Sequence, residues 1–247
     1  MGNVVIVYEG KAKKLFDLGN GVARLVFKDE VTAFNGARRE VVPGKGVLSA
    51  KISSRLFEVL DDNGIPTHYM CYEGGASVRV RLAKAIPLEV IVRNYAYGSM
   101  LKRMPLLKKL MKLSKPIVEL HFKSDEAGDP LILPEDAVEA KIIDWSVWDE
   151  IKSLALKINS ILTSFFERRG LKLIDFKIEV GWVDDRLVVI DEISGDTIRV
   201  IDEKGEHLDK ELFRKGASGK QLLEAYKRLQ MIVGEPERVC SNADPQS

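Results

Sequence analysis

Residues 174–200, IDFKIEVGWVDDRLVVIDEISGDTIRV, carry charged side chains within a stretch that otherwise has the pattern of a buried β-hairpin. In the first strand apolar residues alternate with Asp175, Lys177 and Glu179, and the second strand is apolar on both faces as far as Asp191. A charge that is buried without a partner costs several kcal/mol. We therefore expect these side chains to hold one another, or a ligand, at the centre of the fold.

The length of the hairpin turn decides which charges face one another, because opposed residues on paired strands lie on the same face. A two-residue turn at residues 184–185 places Glu179 opposite Ile190. A three-residue turn instead places Glu179 opposite Asp191. Two opposed carboxylates repel unless a cation lies between them, and Mg²⁺ takes one or two carboxylates together with substrate phosphates. We predict the odd-length turn, with Glu179 and Asp191 opposed.

The bulk composition narrows the function classes. The 247 residues allow one large domain or two small ones, and 45% hydrophobic with 30% charged residues is ordinary for a globular protein with a real core. A net charge of +1, from 38 basic and 37 acidic residues, gives no global attraction to nucleic acid or to an anionic membrane. No run of residues approaches the ~20 apolar positions of a membrane span, so we expect neither partner.

The two cysteines, Cys71 and Cys240, lie far apart and form no C-x-x-C pair. A disulfide framework or a zinc knuckle is therefore not expected, and a reducing compartment is the default. The N-terminal residues lack the basic and apolar regions of a secretory signal. These features predict a cytoplasmic protein.

Hydrophobic periodicity divides the chain into blocks of strands and blocks of helices. The pattern predicts an antiparallel meander at the start of a β-rich region of about 90 residues, with a later strand stretch interrupted at Pro87. It predicts helices over residues 47–60, 145–169 and 220–232, a basic amphipathic surface helix over 99–113 that Pro105 breaks, and a flexible tail over 235–247. Separate blocks favour an α+β fold with antiparallel sheets over a doubly wound sheet.

Two short stretches could bind phosphate groups. In YEGKAKKLF, residues 8–16, Gly10 lies at a turn between strands, and Lys11 and Lys13 follow on one face. In VIVRNYAYGSMLKR, residues 90–103, a buried strand leads through Arg93 to Ser99 at the start of a helix. An ordinary polar hairpin and a simple helix cap remain the alternatives.

Other motifs carry little weight. The chain has no G-x-G-x-x-G fingerprint, and GASGKQ at residues 216–221 departs from a P-loop in its glycine spacing. The Asp-rich turn in FKSDEAGDP, residues 122–130, is a weak signal. His68, His121 and His207 show no ligand spacing and no acid at a fixed offset, so we assign them no catalytic role.

Eight stretches, taken in order, resemble the SAICAR synthetase family. They are YEGKAKKLF, FKDEVTAFNGA, GKGVLSAKIS, VIVRNYAYGS, FKSDEAGDP, DFKIEVG, DEISGDTIRVID and DKELFR, and they span residues 8–214. The family usually reads Ser-Pro-Asp where this chain has Gly195 in the middle position, and it often has Trp where this chain has Ile201. Neither departure removes a charged group.

The resemblance implies an ATP-dependent ligase that joins L-aspartate to the carboxylate of the ribonucleotide CAIR, giving SAICAR, ADP and phosphate. It implies a two-domain fold related to ATP-grasp enzymes and kinases, with a β-rich ATP-binding domain over residues 1–86 and an α+β domain over 87–234. It also implies Mg²⁺ as a cofactor. A homo-oligomer, with a dimer favoured, is expected as well.

The resemblance also assigns residues. ATP is assigned to Gly10, Lys11, Ala12, Lys13, Arg81, Leu82, Ala83, Glu179 and Asp191, and Mg²⁺ to Glu179 and Asp191. CAIR is assigned to Arg93, Ser99, Lys177, Arg199 and Arg214, with the arginines and Ser99 on its phosphate. The catalytic residues are Lys11, Lys177 and Asp191. The weakest assignment is that of L-aspartate to Lys45, Gly46, Asp125 and Asp129.

This chemistry needs charge rather than a side-chain nucleophile. A carboxylate is a poor acylating agent, and phosphorylation by ATP converts it to an acyl phosphate that an amine can attack. Positioned cations around the phosphoryl oxygens suit that step. Two other functions remain open: a small-molecule kinase on a related scaffold, and a binder of RNA or membrane surfaces through the basic residues 102–115.

Overall fold

The computed structural model of the protein describes residues 5–34, 36–124 and 126–241, which form a five-stranded sheet, a six-stranded sheet, a two-stranded hairpin and six helices. The strands are β1 (Val5–Glu9), β2 (Lys13–Gly19), β3 (Val22–Phe27), β4 (Glu30–Ala33), β5 (Arg38–Val41), β6 (Tyr69–Gly74), β7 (Ser77–Arg81), β8 (Lys84–Tyr95), β9 (Lys112–Phe122), β10 (Leu131–Ile132), β11 (Lys172–Val183), β12 (Arg186–Ile190) and β13 (Ile198–Ile201). The helices are α1 (Lys45–Asp62), α2 (Ser99–Arg103), α3 (Pro134–Glu139), α4 (Trp145–Glu167), α5 (Glu211–Arg214) and α6 (Gly219–Val233). The predicted α+β class with antiparallel sheets is confirmed.

The five-stranded sheet has the order β1-β2-β3-β7-β6. Its first three strands are consecutive antiparallel neighbours, which confirms the predicted meander. α1 packs on β3, β6 and β7 of this sheet, and α6 packs on α1. Leu56, Phe57 and Leu60 of α1 are at most 1% exposed, because the helical spacing places them on one face.

The six-stranded sheet is built around β11. One edge of β11 pairs with β8, and the other edge pairs first with β13 and then with β12. Phe176, Ile178 and Val180 join the buried core, and α4 packs against β8, β9 and β11. Since side chains alternate along a strand, Lys177 and Glu179 point to the opposite face.

The three long helices lie within two residues of their predicted ends, because their apolar spacing is regular. The break predicted at Pro105 is confirmed, but the basic helix predicted as far as residue 113 is wrong. It stops at Arg103 after five residues, and β9 begins at Lys112. Pro105 explains the end of the helix, since proline removes a backbone donor and clashes with the preceding turn.

The strand interruption predicted at Pro87 is also wrong, because β8 runs through this position. The pairing of β8 with β11 skips here between Glu179 and Gly181, and a proline that lacks an N–H is tolerated at such a bulge. One continuous hydrophobic core contains residues of both sheets, so the core does not mark a domain boundary. The division into two domains after residue 86 stays a prediction.

The C-terminal segment differs from the flexible tail predicted for residues 235–247. Residues 235–241 lie along β6, where Tyr72 N donates to Arg238 O at 2.8 Å and Cys240 N donates to Tyr72 O at 2.9 Å. Glu58, which is 1% exposed, accepts the Glu237 and Arg238 amides. A buried carboxylate requires such donors, which explains the docking. Residues 242–247 lie outside the described part.

Cys71 and Cys240 form a disulfide, against the expectation from the sequence. Their sequence separation of 169 hides the pairing from any rule based on spacing, because only the docked C-terminal segment brings the two sulfurs together. In the described part of the chain, no helix is long and apolar enough to cross a membrane.

Candidate active site

A cleft of about 450 Å³ is lined by residues from both sheets. Its walls come from the β1–β2 turn, the β4–β5 hairpin, strands β8 and β11, and the segments that follow β12 and β13. Many lining residues are charged, and their ion pairs form two groups, the second of which also includes Arg93, Glu119 and Glu211 from outside the lining. The lysine cluster consists of Lys13, Lys123, Lys177, Glu89, Glu179, Asp191 and Glu192. The arginine cluster consists of Arg93, Arg199, Arg214, Glu119, Asp175 and Glu211.

Lys177 is the centre of the lysine cluster. Its Nζ lies 2.7 Å from Glu89 Oε1, 2.9 Å from Glu179 Oε1 and 4.0 Å from Asp191 Oδ2. Burial opposes the charge, but the three carboxylates raise the pKa of Lys177 well above its ordinary value. Lys123 Nζ lies 2.5 Å from Glu179 Oε2. Glu179, only 4% exposed, is therefore compensated by two ammonium groups.

Lys13 holds the acids that follow β12. Its Nζ lies 2.6 Å from Asp191 Oδ1 and 2.7 Å from Glu192 Oε1. Burial opposes ionisation on both sides, yet Asp191 raises the pKa of Lys13, and Lys13 and Lys177 lower the pKa of Asp191. The charged forms of this pair are thus stable at neutral pH.

The predicted odd-length turn is wrong. Glu179 pairs with Ile190, and a two-residue turn at Asp184 and Asp185, with φ of 47° and 58°, closes the hairpin. The acid opposite Glu179 is Glu89 on the other neighbouring strand, and Lys177 supplies the cation that two facing carboxylates need.

Asp191 reaches the same cluster by another route. It follows the last residue of β12 with φ of 71°, a left-handed conformation that few non-glycine residues adopt. The chain turns out of the strand there, and the Asp191 carboxylate comes within 4.0 Å of the ammonium that also holds Glu179. Both predicted metal ligands therefore line one cleft despite the register error.

Asp175 joins the arginines. Its carboxylate accepts from Arg93 Nη1 at 3.0 Å and from Arg199 Nη1 at 2.8 Å. Burial opposes the charge of Arg199, but Asp175 and Glu211 raise its pKa. Arg199 and Arg214 line the cleft, and Glu211 Oε2 lies 3.2 Å and 3.3 Å from their side-chain nitrogens. The acids hold the guanidinium groups in place at the cleft wall.

Arg93 lies deeper than predicted. It is 2% exposed, its Nε lies 2.7 Å from Glu119, and its Nη2 donates to Ser99 Oγ at 2.9 Å. Ser99 is the first residue of α2 rather than its cap, which is Gly98. The two residues are thus brought together behind Asp175.

The predicted nucleotide residues separate into two groups. Gly10, Lys11, Ala12 and Lys13 form the turn that lines the cleft. Arg81 instead lines a second groove and donates to Thr67 O. Leu82 and Ala83 connect β7 to β8, and the Leu82 amide donates to Gly21 O.

The residues predicted for aspartate are less favourably placed. Lys45 is 1% exposed and its Nζ lies 2.5 Å from Asp196 Oδ2. Gly46 donates its amide to Asp29, and a Cβ there would lie 2.6 Å from Phe27 O. Asp129 lines the cleft, whereas Asp125 lies outside the described residues.

Sequence reasoning assigned no site role to the acids that compensate the cations, namely Glu89, Glu119, Asp175, Glu192 and Glu211. Asp175 is 3% exposed, and the sequence pattern predicts a buried charge there without naming its arginine partners. A usable signal was present, because Glu89 and Glu119 are single acids within apolar runs, where an unpaired charge is costly.

The statement that no histidine has an acid at a fixed offset is wrong. His207 Nδ1 lies 3.0 Å from Asp209 Oδ2, and His121 Nε2 lies 3.4 Å from Glu119 Oε2, both at a separation of two residues. His68 is buried, and burial lowers its pKa to about 4.

The Gly195 departure has a packing reason. A Cβ at Gly195 would lie 2.5 Å from Tyr226 Cζ, so the buried Tyr226 ring occupies the space that another residue would need. Ile201 is 4% exposed and forms a bridge with His207. Both departures therefore alter packing and leave the charges of the cleft unchanged.

The chain is similar to known proteins over nearly its whole length. The SAICAR synthetase family model matches residues 6–230. A phosphoribosylaminoimidazole-succinocarboxamide synthase of Caldivirga maquilingensis is 48% identical over 235 residues, 95% of this chain and 97% of that protein. The crystal structure of the synthase from Ehrlichia chaffeensis is 34% identical, with a TM-score of 0.89 over 93% of this chain and 98% of the other. A SAICAR synthetase in complex with ADP is 40% identical, with a TM-score of 0.87 over 93% and 99%.

Proposed function

The chain belongs to the SAICAR synthetase family, and from this we infer its reaction. It is an ATP-dependent carbon–nitrogen ligase of de novo purine biosynthesis. It condenses the carboxylate of CAIR with L-aspartate and releases SAICAR, ADP and phosphate. The arrangement that supports the assignment of residues is a single cleft lined by the lysine cluster and by Asp175, Arg199 and Arg214 of the arginine cluster.

We propose that the arginine cluster binds the phosphate of CAIR. Arg199 and Arg214 line the cleft, and guanidinium groups suit phosphate because their planar forks donate in pairs. Asp175 and Glu211 hold these groups before the ligand arrives, so less side-chain entropy is lost on binding. Arg93 and Ser99, which lie behind Asp175, support this wall.

The lysine cluster is proposed as the site of phosphoryl transfer. The turn over residues 10–13 lines the cleft, and the Lys13 ammonium lies 2.6 Å from Asp191 Oδ1. A glycine at position 10 lets the turn approach a ligand closely, and positioned cations neutralise phosphoryl oxygens. Lys11, which is exposed, and Arg81 to Ala83 remain proposed ATP contacts.

The donor set fits a magnesium ion that arrives with ATP. Within the described residues no three histidine, cysteine or acidic side chains form a metal site by themselves. Mg²⁺ is commonly held by one or two carboxylates together with substrate phosphates, and Glu179 and Asp191 both line the cleft. We propose these two as its ligands. The ion would neutralise charge on the phosphates.

We further propose an acyl phosphate intermediate. A CAIR carboxylate oxygen attacks the γ-phosphorus of ATP, and the bond from that phosphorus to the bridging oxygen of ADP breaks. The aspartate amine then attacks the acyl carbon, phosphate leaves, and the amine loses a proton. Lys177, beside Glu179 and Asp191, is proposed to orient the transferred group.

The remaining assignments stay predictions. Asp129 is the preferred contact for L-aspartate, because it lines the cleft whereas Lys45 is buried against Asp196. A homo-oligomer, with a dimer favoured, is measurable by sedimentation velocity. The cytoplasmic location is also a proposal, and the Cys71–Cys240 disulfide is unusual for a reducing compartment.

An ADP-release assay tests the proposed function. We expect release only when CAIR and ATP are both present, with sustained turnover and SAICAR formation requiring L-aspartate. Stable phosphorylated CAIR, formed without any need for aspartate, would instead indicate a kinase.

Isotope transfer tests the intermediate separately. With ¹⁸O in the CAIR carboxylate, the acyl phosphate route moves one labelled oxygen into inorganic phosphate. Absence of label in the phosphate would exclude this route while leaving the overall ligase reaction intact.

A further inference from the structure

A buried chain of three side chains lies behind the arginine cluster. Tyr97 Oη lies 3.0 Å from His207 Nε2, and His207 Nδ1 lies 3.0 Å from Asp209 Oδ2. Tyr97, His207 and Asp209 are 3%, 5% and 0% exposed. Such a chain of polar groups in the interior is maintained only if each member has a partner. None of the three lines the cleft, so the chain does not act by touching a substrate there.

The direction of the hydrogen bonds follows from Asp209. Its carboxylate accepts the Val200 amide at 2.8 Å and the Glu211 amide at 2.7 Å, so it acts as an acceptor throughout. His207 therefore donates its Nδ1–H to Asp209, and in the neutral imidazole Nε2 accepts a hydrogen bond from the Tyr97 hydroxyl. Burial raises the pKa of Tyr97, so the hydroxyl stays protonated and keeps donating.

The hydrogen-bonded chain of Tyr97, His207 and Asp209 is connected to Arg199 in two ways. Through the backbone, Asp209 binds the amide next to Arg199 and the amide of Glu211, whose carboxylate lies 3.2 Å from Arg199 Nε. Through the side chain, the Arg199 guanidinium lies 5.4 Å from the centre of the Tyr97 ring. Movement of either end of the chain would therefore move this guanidinium.

Gly98 makes this close packing possible. A Cβ at Gly98 would lie 3.2 Å from Arg199 Nη1, and its backbone has φ of 58°. The arginine is thus confined between the Tyr97 ring, the Gly98 backbone and the carboxylates of Asp175 and Glu211.

We propose that Tyr97, His207 and Asp209 form a positioning chain that aims the Arg199 guanidinium at the phosphate of the nucleotide substrate. The proposal rests on the proposed function, which assigns Arg199 to CAIR. The chain sets the affinity for the phosphate-bearing substrate and leaves the bond-forming steps unchanged. Its members are positioning residues, since they act through Arg199.

Substitution of Tyr97 by phenylalanine tests the proposal. Tyr97→Phe keeps the ring and removes the hydroxyl, and we expect the KM for CAIR to rise about tenfold. The KM values for ATP and L-aspartate and kcat should stay within about twofold of wild type. A merely structural role would instead lower thermal stability and affect all substrates together.

Tyr72→Phe is the matched control. Tyr72 is also a buried tyrosine, and its hydroxyl donates to Gly75 O at 2.8 Å in the five-stranded sheet. This variant loses an equivalent hydrogen bond away from the cleft and should leave every KM unchanged. His207→Leu should resemble Tyr97→Phe, whereas His207→Gln, which can still donate and accept, should lie closer to wild type.

A double-mutant cycle separates this inference from the proposed function. If the chain acts through Arg199, Tyr97→Phe adds no further rise in KM for CAIR once Arg199 is alanine. Additive effects, or an unchanged KM for CAIR in both Tyr97→Phe and His207→Leu, would overturn the positioning chain. The proposed function is judged independently, by CAIR-dependent ADP release in wild type and by the effect of Arg199→Ala alone.

Discussion

In the lysine cluster one ammonium, that of Lys177, is shared by three carboxylates, whereas in the arginine cluster one carboxylate, that of Asp175, is shared by two guanidinium groups. The ammonium is a compact charge on a flexible stem with three rotatable donors. The guanidinium is a rigid planar fork whose direction is fixed by its first partner. The two clusters therefore use the same kind of ion pair in opposite arrangements.

This difference indicates what each cluster can do when a ligand binds. Lys177 can give up one carboxylate and keep another, so Glu179 or Asp191 can turn to a cation without leaving a buried charge unpaired. Arg199 has little such freedom, because Asp175, Glu211 and the Tyr97 ring all hold it. We infer that the lysine cluster rearranges during the reaction and that the arginine cluster is organised in advance.

The largest expected effect is at Asp191. Asp191→Asn should lower kcat at least about a thousandfold, because the cluster loses a proposed metal ligand and the charge that faces the phosphoryl group. The fold should remain intact, since Lys13 keeps Glu192 at 2.7 Å. Steady-state kinetics measures kcat, and circular dichroism measures whether the fold is intact. Asp185→Asn, in the turn of the same hairpin, is the control, and near-normal turnover in Asp191→Asn would refute the metal role.

The next effect is at Arg199. Arg199→Ala should raise the KM for CAIR about a hundredfold, with a smaller change in kcat, because it removes a donor and leaves Asp175 and Glu211 to repel a phosphate. Initial rates measured over a range of CAIR concentrations separate the effect on KM from the effect on kcat. Arg228→Ala removes an ion-paired arginine from α6 and serves as the control. An equal rise in the KM for ATP would break the distinction between the two clusters.

The disulfide lies outside both clusters. Its removal shows whether the activity of the clusters depends on the stability of the whole protein. Cys71→Ser should lower the free energy of unfolding by about 2–4 kcal/mol, because the cross-link closes a loop of 169 residues. KM and kcat should change less than twofold. Chemical denaturation with and without reductant measures the effect, and reductant should destabilise only the wild type. Equal stability of variant and oxidised wild type would contradict the prediction.

The smallest effect concerns acid stability at the buried side of the arginine cluster. Burial alone would raise the pKa of Glu119, but hydrogen bonds from His121, Arg93 and Arg103 lower it to about 2. A lowered pKa contributes stability above the ordinary value of 4.5, and this contribution is lost as the pH falls towards 2.

As the pH falls over that interval, the free energy of unfolding of Glu119→Gln should therefore decrease by about 1 kcal/mol less than that of the wild type. At pH 7 the variant should be less stable than the wild type. Urea denaturation at a series of pH values measures the difference. Glu139→Gln, on the exposed surface, should follow the wild-type curve. Parallel curves for Glu119→Gln and wild type would show that this carboxylate is not stabilised by its neighbours.

Much of the fold was readable from local patterns. The spacing of apolar residues predicted α1, α4 and α6 to within two residues. Apolar runs between glycine turns predicted the strands of the meander, alternation predicted β11, and a run apolar on both faces predicted β12. Pattern reasoning failed for residues 99–113, where a basic amphipathic spacing was interpreted as a helix although the chain forms a short turn of helix, a connection and a strand. Propensity is weak evidence when a proline interrupts the segment.

The sequence by itself determined the family, the class of fold and the charged motifs that line the cleft, because order along the chain and local periodicity are properties of the sequence. Only the tertiary structure decided the partners. It placed Glu89 opposite Glu179, turned Asp191 inward through a left-handed backbone, buried Lys45 against Asp196 and joined Cys71 to Cys240. These contacts join residues distant in the chain or depend on one backbone angle, and no local pattern encodes how distant segments pack.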